Sequence, residues 1–142
     1  MNGLGANLHY LSGGSPKNPE DYYGKKITSA SLRPDDGDGA IYLGLANGKR
    51  LKIWDNGRSC CESRYITTDD DIHFLVGGKL KEIKVRSVQE IDDGDGGEYH
   101  EMAFLEISTE KGSVTFVTHN EHNGYYGGFG LSLDEVQDAD NR

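Results

Sequence analysis

Residues 40–54 read Ala40-Ile41-Tyr42-Leu43-Gly44-Leu45-Ala46-Asn47-Gly48-Lys49-Arg50-Leu51-Lys52-Ile53-Trp54. Ile41, Leu43 and Leu45 recur at every second position, and so do Leu51 and Ile53. A period of two puts each set on one face of an extended strand. Between them stands Asn47-Gly48. Both residue types tolerate the left-handed backbone of a tight two-residue turn, which makes this pair the strongest short-range hairpin signal. The stretch predicts a β-hairpin.

The same alternation continues on both sides. Lys25 to Leu32 sets Ile27, Ser29 and Ser31 opposite Thr28, Ala30 and Leu32. Ser63 to Thr67 suits a short strand. Thr68 and the aspartates 69–71 offer N-cap chemistry for a helical turn through Ile72, Phe74 and Leu75, ended by Gly77-Gly78. In Leu80 to Ile91, Ile83 and Val85 are in phase and Val88 is not. A bulged strand and a helix both fit that pattern. Tyr99 to Thr109 and Ser113 to His119 form a second predicted hairpin around Glu110-Lys111-Gly112. In it, Ala103, Leu105 and Ile107 share one face, as do Val114, Phe116 and Thr118. Phe129, Leu131 and Leu133 suggest a last strand.

These elements predict a mainly β protein, with a β-rich α+β fold as the alternative. The architecture expected is one twisted antiparallel sheet curled into a small barrel or sandwich, with at most one or two short helices. The domain spans 21–134. Residues 1–20, with Gly3, Gly5, Gly13, Gly14, Pro16 and Pro19, read as an N-terminal tail whose end Tyr10, Tyr22 and Tyr23 pin to the body. Residues 135–142 read as an acidic tail, and Asp134 to Arg142 as a frayed end or a short helix.

Composition narrows function by exclusion. The chain has 142 residues with 15 Lys+Arg against 24 Asp+Glu, a formal charge of −9. That is no footprint for nucleic-acid phosphates. No apolar run approaches the roughly 20 residues of a membrane helix, and Met1 to Ser12 lacks the pattern of a signal peptide. Gly is 20 of 142, about twice the ordinary share of roughly 7%. Cys60 and Cys61 are neighbours, so they staple no distant segments, and free thiols in a cytoplasm are the expected state.

Each candidate for chemistry has a plain alternative. Cys60 or Cys61 is a nucleophile if a cation lowers its pKa, with His119 or His122 as base. Otherwise one thiol packs inside while its neighbour faces out. His119-Asn120-Glu121-His122 would share one metal ion only if the chain turned there, because residues three apart on a strand face opposite ways. No metal or other cofactor is expected. Asp-Asp-Gly-Asp-Gly, at 35–39 and 92–96, reads as turn chemistry rather than as a calcium loop. Tyr125-Tyr126-Gly127-Gly128 offers aromatic stacking area beside an accessible backbone. Its plain alternative is one Tyr in the core and one on the surface.

Four segments in order, Gly24-Lys25-Lys26-Ile27, Cys60-Cys61-Glu62, Phe74-Leu75-Val76-Gly77-Gly78 and Asn123-Gly124-Tyr125-Tyr126, resemble a family of small bacteriophage-encoded proteins of unknown function. The likeness spans about residues 22–133. This chain departs from the family pattern at His122 and Gly127, where Ser is common. The resemblance implies a phage accessory protein acting in the cytoplasm of an infected bacterium.

The expected function is that of a non-catalytic binding module. Its site is Cys60, Cys61, Glu62, Asn123, Gly124, Tyr125 and Tyr126, and its target a host protein or a small nucleotide-like defence signal. Two other classes stand beside it. One is a cysteine enzyme using Cys60 or Cys61 with His119 or His122. The other is an acidic inhibitor that mimics nucleic-acid charge with carboxylates at 35–38, 69–71, 92–98 and 134–140. Direct nucleic-acid and membrane binding are not expected, and a homo-oligomer is compatible with the edge strands.

Overall fold

Period-two patterning becomes eight strands in a computed structural model that describes residues 19–33, 39–55, 63–92, 99–122 and 131–136. They are β1 (Ile27–Arg33), β2 (Ala40–Leu45), β3 (Arg50–Asp55), β4 (Ser63–Thr67), β5 (Leu80–Asp92), β6 (Tyr99–Thr109), β7 (Gly112–His122) and β8 (Leu131–Val136). One sheet has the order β1-β2-β3-β8 and the other β4-β7-β6-β5, with antiparallel neighbours throughout. The sheets do not close into a barrel. They face one another across a shared core that holds Ile41, Leu43, Leu51 and Ile53 from the first and Val85, Leu105, Ile107 and Phe116 from the second.

Asn47-Gly48 turns the chain as its chemistry demands. Gly48 has φ +89°, and the Asn47 side chain accepts the Lys49 N–H at 3.0 Å. Leu43 then lies opposite Leu51 and Ile41 opposite Ile53, so both apolar sets reach the core. The second hairpin forms around Glu110-Lys111, with β7 running to His122.

Residues 80–92 are strand rather than helix. Their backbone pairs with β6 along the whole length, and register shifts at Leu80/Glu82 and Val85/Ser87 absorb the broken alternation. A shift between Ile27 and Ser29 likewise lets Ile27 and Ala30, three apart, both be buried. The helical turn after the aspartates is a 3-10 turn, Ile72–Leu75. The Asp71 side chain caps it by accepting the His73 N–H at 3.0 Å, and Leu75 is driven into the core.

At the edges of the described residues, Pro19–Tyr22 form a 3-10 turn with Tyr22 buried. Asp134, Glu135 and Val136 continue β8 instead of fraying or forming a helix. Three contacts hold them: Trp54 Nε1 donates to Asp134 at 2.7 Å, Tyr22 donates to Glu135 at 2.6 Å, and Lys49 pairs with Glu135 at 3.3 Å. Tyr10, Phe129, residues 35–38 and residues 93–98 lie outside the described residues.

A backbone stitch joins the two sheets at one pole. Gly24 N–H donates to Leu80 O at 2.7 Å, Leu80 N–H to Lys25 O at 2.8 Å, Ile27 N–H to Gly78 O at 2.8 Å, and Gly77 N–H to Ile27 O at 2.8 Å. The start of β1 thereby pairs with the approach to β5. Gly78 has no room for a side chain, because a Cβ there would lie 2.7 Å from Thr109 Cβ. Thr109 is itself buried. Gly78→Ala is expected to destabilise the protein by about 1–3 kcal/mol, the ordinary cost of overpacking. A lower urea midpoint with an unchanged slope is the expected reading.

Candidate functional site

The core-facing rows change character toward one pole. In β3, Leu51 and Ile53 are followed by Asp55, which is also buried. In β7, Val114 and Phe116 are followed by Thr118 and Asn120, both buried. Alternation puts each row on one face, so the apolar layer between the sheets becomes polar at this end. Burying a hydroxyl with no partner costs roughly 1–3 kcal/mol. Thr118 Oγ1 is such a group, 1% exposed and without a hydrogen-bond partner among the described residues.

The two sequence motifs attach at the same pole. Asp55 pairs with Leu131 in one sheet, and Ser63 pairs with Glu121 in the other. Segment 56–62, which carries Cys60, Cys61 and Glu62, runs from Asp55 to Ser63. Segment 123–130, which carries Asn123, Gly124, Tyr125 and Tyr126, runs from His122 back to Leu131. Both crossovers therefore span one pair of strand ends in opposite directions. The seven motif residues themselves lie outside the described residues.

On the solvent face of the β4-β7-β6-β5 sheet, the same pole carries a polar cluster. Tyr65 is opposite His119, and His100 is opposite Glu121. The Tyr65 and His119 rings stack at 4.3 Å with an 8° tilt. His100 Nε2 lies 2.9 Å from His119 Nδ1, and Thr67 Oγ1 lies 2.9 Å from His119 Nε2. Tyr65 donates to the Glu121 carboxylate. Burial, and then this hydrogen bond to a carboxylate, push the Tyr65 hydroxyl up to about 12. Burial first, and His100 second, hold His119 below its ordinary value, against the opposing pull of Glu121. Two imidazolium rings cannot share a nitrogen-to-nitrogen hydrogen bond, so the contact itself requires at least one neutral ring.

This arrangement bears on the sequence candidates. Both ring nitrogens of His119 are engaged, which leaves neither free to take a proton from Cys60 or Cys61 without rearrangement. The chain does not turn between His119 and His122, the condition that a shared metal ion would have required. No group of three or more His, Cys, Asp or Glu among the described residues is placed to hold a metal. Sequence reading missed Tyr65, His100 and Glu121 as neighbours of His119, and Asp55, Thr118 and Asn120 as a buried polar set. The available signal was an alternating apolar row ending in a polar residue.

Fold and site together define a small two-sheet antiparallel β domain whose core is polar at one pole. The chain belongs to the family described as Domain of unknown function (DUF7448), whose model matches residues 20–130. That match runs from the first 3-10 turn through β7 and both crossovers. No curated protein and no solved structure matches the chain. Among the described residues, no helix is long and apolar enough to cross a membrane.

Two outcomes are expected. Thr118→Val replaces the buried hydroxyl with an isosteric methyl and raises the stability of the ligand-free protein by about 1 kcal/mol, read as a higher urea midpoint. His119 has a lower pKa folded than its unfolded value near 6.5, so the unfolded chain binds more protons between the two values. Stability therefore falls as pH drops through about 6.5 and levels off below the folded value. A pH series of denaturation midpoints reads this slope, and His119→Gln flattens it.

Proposed function

We propose that the polar pole is a ligand site and that the protein is a non-catalytic binding module. The carrying observation is the buried set Asp55, Thr118 and Asn120 at the pole where both crossovers attach. Polar groups inside an otherwise apolar layer favour a small polar ligand over a flat protein surface. Tyr125 and Tyr126 would stack on its ring, while Asn123 and Glu62 would hydrogen-bond its edge. Within this reading the protein is a phage accessory factor in a bacterial cytoplasm, and the ligand is a nucleotide-like defence signal. A host protein is the other target class.

A cysteine enzyme with His119 as base is less well supported, because that ring is already bonded through both nitrogens.

Native mass spectrometry of the protein purified from bacterial cells tests the proposal. A retained mass of nucleotide size is expected, lost in Tyr125→Ala/Tyr126→Ala with an unchanged melting temperature for the ligand-free form. A bare mass, together with no thermal shift from a panel of mono- and cyclic dinucleotides, would overturn the small-ligand reading. Recovery of one stoichiometric host protein by the wild type but not by the double variant would move the target to that protein.

A further inference from the structure

The stitched pole, at the opposite end of the β6–β7 ladder from the crossovers, carries a separate feature. A cavity of about 480 Å³ is lined by Tyr23, Gly24, Lys79, Leu80, Lys81 and Glu110. Its aromatic part is the half-buried Tyr23, while Leu80 is itself buried in the core. Tyr23 is fixed by its hydroxyl, which accepts the Ile83 N–H at 3.0 Å. Gly24 has φ +91° and open space where a Cβ would stand, so the backbone there is bare.

The cations around this cavity conflict with local stability rules. Lys26 and Lys79 form an antiparallel bridge, and like charges directly opposite one another destabilise a strand pair. Lys81 is the extra residue of the bulge between Leu80 and Glu82, and bulges of this kind re-aim a side chain. Lys25, Lys26, Lys79 and Lys81 are all exposed, and none has an ion pair among the described residues. The carboxylate among the lining residues, Glu110, accepts the backbone N–H of Lys79 at 2.7 Å. That hydrogen bond, another from its own backbone N–H, and the charges of Lys79 and Lys111 hold Glu110 below its usual value. In a chain of net charge −9, such a gathering of exposed lysines is a local inconsistency of the kind found at functional sites.

We infer that this cavity binds a small phosphomonoester. Lys79 and Lys81 supply point charges for a dianionic phosphate, a role lysine fills without the planar geometry of arginine. Tyr23 takes the apolar or ring portion of the molecule. Glu110 sets an upper bound on affinity, since its charge opposes the ligand. The site is independent of the crossover pole and does not rest on the function proposed there.

Phenyl phosphate titrated into the ¹⁵N-labelled full chain, with phenol and inorganic phosphate as comparisons, tests the inference. Saturable amide shifts are expected at Tyr23, Gly24, Lys79, Leu80, Lys81 and Glu110, with phenol producing none. Lys79→Gln/Lys81→Gln is expected to weaken binding at least tenfold while leaving the rest of the spectrum in place. Glu110→Gln, which keeps an acceptor for the Lys79 N–H, is expected to tighten it severalfold. Shifts spread equally to Lys49 and Lys52, equal binding of phenol, or undiminished binding by the double variant would each overturn the inference. Tyr125→Ala/Tyr126→Ala leaves this titration unchanged, so the two sites fail or stand separately.

Discussion

One apolar layer, buried between two sheets that share no strand, carries the structure. Phe116, Leu105, Ile107, Leu43, Leu51 and Ile53 are almost wholly removed from water, each worth roughly 1.5–3 kcal/mol relative to exposure. Neither sheet can bury its inner face alone, so each exists because the other covers it. The layer has to be closed at its ends, and the chain closes the two poles differently. At one, residues 24–27 and 77–80 exchange backbone hydrogen bonds and lock the sheets edge to edge. At the other, the chain passes between the sheets from Asp55 to Ser63 and from His122 to Leu131.

That difference in closure explains where polar groups collect. A backbone ladder satisfies its own donors and acceptors, so the stitched pole keeps apolar residues such as Ile27 and Leu80 inside, together with the buried Thr109, whose hydroxyl is hydrogen-bonded within its own turn. Its charge lies outside, as lysines around an open cavity. The crossover pole tolerates Asp55, Thr118 and Asn120 within. They end the described inward rows, which are otherwise apolar: Asp55 in β3, and Thr118 followed by Asn120 in β7. Placing polar side chains there sacrifices hydrophobic burial that leucine or valine would supply, a cost compatible with selection for a site rather than for stability.

On the outer faces, pairing adds to burial. The guanidinium groups of Arg33 and Arg50 lie over the buried Tyr42 ring, at 4.9 and 4.5 Å. Glu106 accepts from Arg86 at 2.8 Å and from Ser113 at 2.9 Å. Burial raises the pKa of Glu106, but these two donors and the positive charge of Arg86 outweigh it and hold the carboxyl lowered. The His100–His119 pair with Tyr65 and Glu121 stands at the crossover pole. Burial and the neighbouring His100 hold His119 below its ordinary value, so this cluster is sensitive to pH where the arginine-based contacts are not.

The sequence by itself determined the hairpins. Strict alternation at Ile41 to Leu45, Leu51 to Ile53, Ala103 to Ile107 and Val114 to Thr118 leaves one face apolar, and Asn47-Gly48 allows one turn geometry. Local chemistry also marked the capped turn at Asp71. Where alternation broke, as at Val88, the sequence left strand and helix open, because a bulge is decided by the partner strand and not by its own residues. The extension of β8 over Asp134 and Glu135 was hidden for a similar reason: Tyr22, Lys49 and Trp54 hold these residues through contacts that no local pattern announces. Only tertiary structure decided which ends meet. Tyr65, His100 and His119 are far apart in the chain and become neighbours through register alone. Lys26 comes to face Lys79 through the joining of two sheets. Periodicity tells a strand which face to bury, but long-range hydrogen bonding chooses its neighbour, and the sites of this protein are made by neighbours.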